Sequence, residues 1–204
     1  MLLTLSACSD VRRARRAVIT AVYDPTSGRL VRLAHDSNIN GRPDTWTAMN
    51  GATPINSTVD RNEDGRADRW EHYDATGRLL KVGFAREDDG TPDSWAYSRT
   101  DGTLERIEIS SSADESKIDR REFYAPTRLE LPPVLERAEE DTNGDGRIDK
   151  WEEYDDTGQV RSVAWASPGR TTPDRRVTWR NGVIVLIEAD PDSEGNFRHK
   201  VDVR

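Results

Sequence analysis

The chain has 204 residues and a net charge of −8, with 34% hydrophobic and 33% charged residues, against averages of about 45–50% and 25% in globular domains. That leaves too little apolar material for a thick core, and acidic residues gathered in clusters argue against an electrostatic nucleic-acid surface. No run of the sequence approaches the roughly 20 apolar residues that a membrane-crossing helix needs.

At the N-terminus, Leu5, Ser6, Ala7 and Cys8 resemble the lipobox of bacterial lipoproteins. The resemblance implies lipidation of Cys8, with Ser9 pointing to the outer membrane and a protein facing periplasm or exterior. Residues 1–4 lack the basic and apolar regions of a secretory signal. Either the start lies upstream or the likeness is accidental. Cys8 is the sole cysteine, which excludes an intrachain disulfide. Arg12, Arg13, Arg15 and Arg16 form a basic run, read as a solvated tether or as a contact to anionic head groups. Residues 1–16 are therefore set apart as leader remnant and tether.

Strand-like segments begin at 17–23 and 29–34 and recur at 78–85, 103–109 and 159–165 with period-two alternation; 183–187 is a continuous apolar run. Two series of turn signals alternate between them. One is tight: Asp24 to Gly28, Asn50-Gly51, Asp74 to Gly77, Asp101-Gly102, Asp155 to Gly158 and Asn181-Gly182. These supply the positive φ angles of β-hairpins.

The other series is acidic. Asp36, Asn38, Asn40, Gly41, Asp44 and Trp46 superpose without a gap on Asp60, Asn62, Asp64, Gly65, Asp68 and Trp70, and on Asp141, Asn143, Asp145, Gly146, Asp149 and Trp151. A fourth copy ends in Asp88, Asp89, Gly90, Asp93 and Trp95 but begins with Ala85. Copies at 113–121 and 168–176 are degenerate, and one at 190–195 is divergent. The period is about 25 residues in about seven units. The pattern predicts an all-β fold, an antiparallel meander of tandem hairpin repeats in one elongated or curved sheet, with propeller-like closure as the alternative. Residues 17–125 and 141–204 form the two repeat regions. Between them, 126–140 carries Pro132 and Pro133 and reads as a linker or as an insertion in a continuous sheet, with 134–140 expected as a short helix.

Carboxylates at alternate loop positions beside a Gly bend are the ligands that Ca2+ takes. Two stretches match D-x-[DN]-x-[DN]-G-x5-E. In 60–71 the ligand positions hold Asp60, Asn62, Asp64, the Arg66 carbonyl, Asp68 and Glu71. In 141–152 they hold Asp141, Asn143, Asp145, the Arg147 carbonyl, Asp149 and Glu152. Asp36, Asn38, Asn40 and Asp44 make a weaker set of lower charge. Solvent-facing Asx turns that only shape hairpins are the alternative. Residues 141–152 resemble an EF-hand loop, yet a helix-loop-helix does not fit the period. The loops are also similar to those of integrin-type and VCBS calcium repeats.

Trp46, Trp70, Trp95 and Trp151 each follow the last Asp of a loop by two residues, as a stacked core row or as a platform for a glycan. Histidine occurs only at positions 35, 72 and 199, and no nucleophile–base order or phosphate loop is present, so an enzyme is not expected. The sequence reading is a non-enzymatic, calcium-stabilised β-repeat lipoprotein anchored in outer-membrane lipid and offering a surface to a cell-surface protein or glycan. An EF-hand-like sensor and a carbohydrate- or cell-wall-binding module are the alternatives.

Overall fold

The structure, a computed structural model, describes residues 18–128 and 130–203. Cys8 and the arginine run lie outside the described residues. Fifteen strands form one sheet whose order is the chain order. They are β1 (Ile19–Tyr23), β2 (Leu30–His35), β3 (Thr45–Asn50), β4 (Thr53–Val59), β5 (Arg69–Tyr73), β6 (Leu79–Phe84), β7 (Ser94–Ser98) and β8 (Leu104–Ile109). The sheet continues with β9 (Arg120–Tyr124), β10 (Leu135–Glu140), β11 (Lys150–Tyr154), β12 (Val160–Trp165), β13 (Arg175–Arg180), β14 (Val183–Pro191) and β15 (Phe197–Asp202). Every neighbouring pair is antiparallel. This is the expected meander. β1 and β15 are its two edges, so the sheet stays open and propeller-like closure is set aside.

The tight turns sit where their sequence places them, with positive φ at Gly28, Gly51, Gly77, Gly102 and Gly158 and at both Asn181 and Gly182. The helix expected over 134–140 does not form. Leu135–Glu140 is a strand, paired with β9 on one side and β11 on the other. Leu135, Arg137 and Glu139 alternate with Glu136, Ala138 and Glu140, and two flanking strands satisfy the backbone more fully than an isolated pair of helical turns would. Pro132 and Pro133 fall in the connection before β10, outside the paired stretch. Among the described residues there is no helix, so the helix-loop-helix of an EF-hand sensor is not built here.

Successive side chains on a strand point to opposite faces, and the register aligns one residue per strand into a row across each face. On one face the row runs Ala34, Trp46, Thr58, Trp70, Gly83, Trp95. Large rings alternate with small residues, so each ring has room beside it. The row continues Glu108, Arg121, Glu139, Trp151, Ala164, Arg176, Glu188, Lys200. Where the degenerate repeats replace Trp by Arg, an acidic residue stands on the neighbouring strand. Arg176 Nε donates to Glu188 Oε2 at 2.7 Å, and Lys200 Nζ lies 3.0 Å from Glu188 Oε1.

The other face carries a repeated cation–Glu–Tyr triplet at alternate positions: Arg69, Glu71, Tyr73, then Arg120, Glu122, Tyr124, then Lys150, Glu152, Tyr154. Each tyrosine hydroxyl donates to the glutamate of its own strand. Arg120 bridges three strands, donating to Glu122 (2.9 Å), Glu140 (3.0 Å) and Glu152 (2.8 Å). Between these polar clusters lie Val82, Ala138 and Val163, buried in a thin apolar layer.

Candidate metal centre

The acidic segments connect each even-numbered strand to the next odd one, at 36–44, 60–68, 85–93, 110–119, 141–149 and 166–174, so they share one edge of the sheet. Their backbones form a continuous ladder. The N–H that opens each loop donates to the carbonyl of the aspartate that closes the preceding one: Asp60 to Asp44 (2.8 Å), Ala85 to Asp68 (3.0 Å), Ser110 to Asp93 (2.9 Å), Asp141 to Asp119 (2.7 Å) and Ala166 to Asp149 (2.8 Å). Asp190 N continues it to Asp174 at 3.0 Å. The divergent copy there makes no acidic loop, because β14 runs through Pro191 and the turn tightens around Asp192, whose Oδ1 accepts from Glu194 and Asn196 N–H.

The closing aspartates share one duty. Each accepts the N–H of the loop's second residue: Asp44 from Ser37, Asp68 from Arg61, Asp93 from Arg86, Asp119 from Ser111, Asp149 from Thr142 and Asp174 from Ser167. Burial would raise the Asp44 carboxyl, but hydrogen bonds from Ser37 and Thr45 outweigh it and hold it below the usual carboxylate range.

The inner positions form Asx turns in series. Asn38, Asn62 and Asn143 accept from the N–H two residues on, at 3.0 Å each, and Asn40, Asp64, Asp89 and Asp145 repeat the pattern at 2.8–2.9 Å. The opening aspartates reach across the loop. Asp36 accepts from Asn40 (3.1 Å) and Gly41 (2.7 Å), and Asp141 from Gly144 and Gly146, both at 2.7 Å. Asp60 departs from this. Its Oδ2 accepts from Gly65 at 3.0 Å, while its Oδ1 is buried without any partner.

Thus the structure brings Asp60, Asn62, Asp64, Arg66 and Asp68 into one loop and Asp141, Asn143, Asp145, Arg147 and Asp149 into another. Glu71 and Glu152 do not join them. Both stand on the face opposite the tryptophans, where Arg69 lies 2.6 Å from Glu71 and Lys150 2.7 Å from Glu152. Their spacing places them three residues into a strand, and period-two alternation turns them away from the loop. Among the described residues no three His, Cys, Asp or Glu side chains converge as a ready-made cage. The loop carboxylates are turned onto backbone N–H groups instead.

Side chains from successive loops also meet, which the repeat pattern alone does not signal. The fourth loop position has a left-handed backbone at Ile39, Glu63, Asp88 and Ala113, and glycine takes it at Gly144. Glu63 accepts from the amides of Asn38 and Asn40 in the preceding loop. Asp88 accepts from Asn62 at 2.8 Å. Its hydrogen-bonding contact with Asp68, then burial and the charges of Asp64 and Asp68, raise its pKa. By contrast the 141–149 loop borders a cavity of about 550 Å³ shared with 110–119, where Lys117 and Arg121 stand among its lining residues with Asp141 and Asp145.

Trp95 is buried at 4% exposure, and Pro92 of its own loop packs beside it against Gly83. Trp46, Trp70 and Trp151 are half-buried. The row is therefore not an uninterrupted open platform.

No family model and no curated protein matches the sequence. Among solved structures the chain is similar to accessory secretory protein 1, 2 and 3 of Streptococcus pneumoniae, at 10% identity and a TM-score of 0.28, over 60% of this chain and 19% of that one. It is also similar to a TcdB2-TccC3-Cdc42 structure, at 12% identity and a TM-score of 0.24, over 84% and 11%. A porin-like protein from Bacteroides uniformis gives 14% identity and a TM-score of 0.18, over 87% and 54%. The chain spans well under two thirds of the length of each.

Proposed function

We propose that this is a non-enzymatic, calcium-stabilised β-repeat module whose acidic edge binds Ca2+ in the 60–68 loop and, with a less acidic surrounding, in 141–149. The observation that carries the reading is Asp60 Oδ1, a buried carboxylate oxygen without a donor. Leaving such an atom unmatched costs about 1–3 kcal/mol, and the oxygens around it are those a hard cation takes. The proposed ligands are Asp60, Asn62, Asp64, the Arg66 carbonyl and Asp68, with Asp141, Asn143, Asp145, the Arg147 carbonyl and Asp149 as the second set. Asp36, Asn38, Asn40 and Asp44 remain the weaker set, because Glu63 already occupies both of their amides. Calcium would supply positive charge to carboxylates that otherwise repel, and so stiffen the loop edge.

The lipobox-like residues ending in Cys8 extend the proposal to a lipoprotein of the cell envelope, held in outer-membrane lipid and presenting the sheet to a protein or glycan outside the cytoplasm.

Calcium titration by calorimetry, paired with melting in calcium and in chelator, tests the metal reading. Binding should raise the melting temperature, by an amount equivalent to about 2.7 kcal/mol at a free concentration 100-fold above Kd. Asp60→Asn should remove most of that gain. Absence of both heat and a chelator effect would leave the loops as hairpin-shaping Asx turns.

A further inference from the structure

We infer that the groove over Ala164, between Trp151 and Phe197, is a binding site for a neutral oligosaccharide. This site uses none of the proposed calcium ligands, and it rests on the reading of the sheet as a surface offered to a glycan.

Arginine interrupts the tryptophan row at Arg121 and Arg176, and a cavity opens at each interruption. The one beside Arg121 is the space of about 550 Å³ shared by the 110–119 and 141–149 loops. At Arg176 there are two adjoining cavities, of about 520 and 350 Å³, which share Ala164, Pro173 and Arg176. The repeat of Trp95 shows this place filled: Pro92 and the Trp95 ring close over Gly83. Ala164 pairs with Arg176 as Gly83 pairs with Trp95, and Pro173 stands where Pro92 does, one residue before the closing aspartate. The small residue and the proline are kept, and only the ring is gone. Arg176 does not take its space, because the guanidinium is drawn to the buried Glu188, with contacts of 2.6 and 2.7 Å.

The lining selects the ligand. Trp151 borders the smaller cavity together with Ser162 and Thr171, and Phe197 borders the larger together with Thr172 and Ser193. Both rings are half-buried and keep accessible surface. An aromatic face carries partial negative charge, which suits the C–H face of a sugar ring, and the hydroxyl side chains both donate and accept around it. Charge balances in each cavity: Arg170 and Arg176 stand against Asp192 and Glu194 in the larger, and Arg176 against Glu153 in the smaller. A balanced lining favours a neutral polar ligand over an ion, whereas a wholly apolar ligand would leave the hydroxyls without partners. Both volumes fall within the range of about 300–1,000 Å³ usual for small-ligand sites, and the shared wall lets one chain of sugars run through both.

An array of neutral and acidic oligosaccharides, probed with the full chain in CaCl2, is expected to show neutral ligands bound and acidic ones not. Calorimetry with the best neutral oligosaccharide then compares two variants. Phe197→Ala, on an edge strand, should weaken binding about tenfold or more, given the apolar area and ring face that are lost. Arg176→Trp should abolish binding by restoring the filled arrangement. It should also melt as a folded protein, because Trp95 already stands beside Glu108 as the added ring would beside Glu188. A protein that takes up calcium but binds no neutral oligosaccharide, or that prefers acidic ones, would overturn this site and leave the calcium reading standing. Neutral binding that is unchanged in both variants would also overturn it, while leaving the sheet a glycan surface.

Discussion

Glu152 shows how far a side chain's duty follows from the parity of its position. Burial would raise its carboxyl, but hydrogen bonds from Lys150, Arg120 and Tyr154 outweigh that effect and hold it at about 2. A carboxyl whose folded pKa is depressed stabilises fully above its unfolded value and loses that contribution as the pH falls toward the folded one. The window here lies between about pH 4.5 and 2. The denaturant midpoint should therefore fall across that interval in the wild type. In Glu152→Gln it should start lower at pH 6 and fall less, since the titrating partner is gone while Arg120 keeps Glu122 and Glu140. The same residue marks where loop spacing and strand alternation point in different directions. Counted along the chain, Glu71 and Glu152 fill the twelfth position of a calcium loop; counted by alternation, they pair with the cation two before and the tyrosine two after. The strand wins because it begins immediately after Asp68 and Asp149. Asp88 and Glu63 were illegible for another reason. A left-handed residue points its side chain where no periodicity applies, so only the folded backbone shows that each serves the previous loop.

At the scale of the element, the alternation of ring and small residue explains why hairpins of modest hydrophobicity stack in one register. Gly83 lies between Trp70 and Trp95 in the row. An added Cβ there would approach Pro92 Cβ at 3.2 Å and Trp95 Cδ1 at 3.5 Å. Gly83→Val improves strand propensity yet has no space for its branches, and overpacking of this kind costs about 1–3 kcal/mol. A lower urea midpoint, together with a changed tryptophan emission from Trp95, is the expected outcome. Strand positions and tight turns were legible because Asn-Gly, Asp-Gly and period-two alternation act locally. The 134–140 segment was not, because a run of Glu, Arg and Ala after two prolines suits a helix as well as a strand. Its partners, Phe123 and Glu153 flanking Arg137, decide the matter, and they lie beyond any local window. Arg137 then covers the Phe123 ring at 3.6 Å, a contact that a helix would forgo.

For the whole molecule, every substantial contact between strands joins sequence neighbours. Stability is then close to a sum of local interface terms, as in other repeat arrays, and no single centre holds the ends together. Amide hydrogen exchange should show this directly. Protection should be greatest in β5 to β12, where each strand has two partners and the polar clusters tie several strands together. It should decline toward β1 and β15, and exchange there should proceed without global unfolding. Uniform protection across the sheet would contradict the nearest-neighbour picture. The meander itself was readable because its two turn series alternate; its openness was not, since closure depends on whether the first and last strands meet.

The ladder of backbone bonds along the acidic edge has a mechanical consequence. Pulled at its first and last strands, the sheet lies with its hydrogen bonds along the load, so rupture travels as a zipper and takes each bond in turn. The two margins are not alike. On the tight-turn side a few residues join most pairs of strands, with the longer 125–134 connection between β9 and β10, whereas on the other side each loop is bolted to the next from Asp44 through Asp174. Tension across the sheet is then expected to be carried unevenly, more of it by the bolted margin.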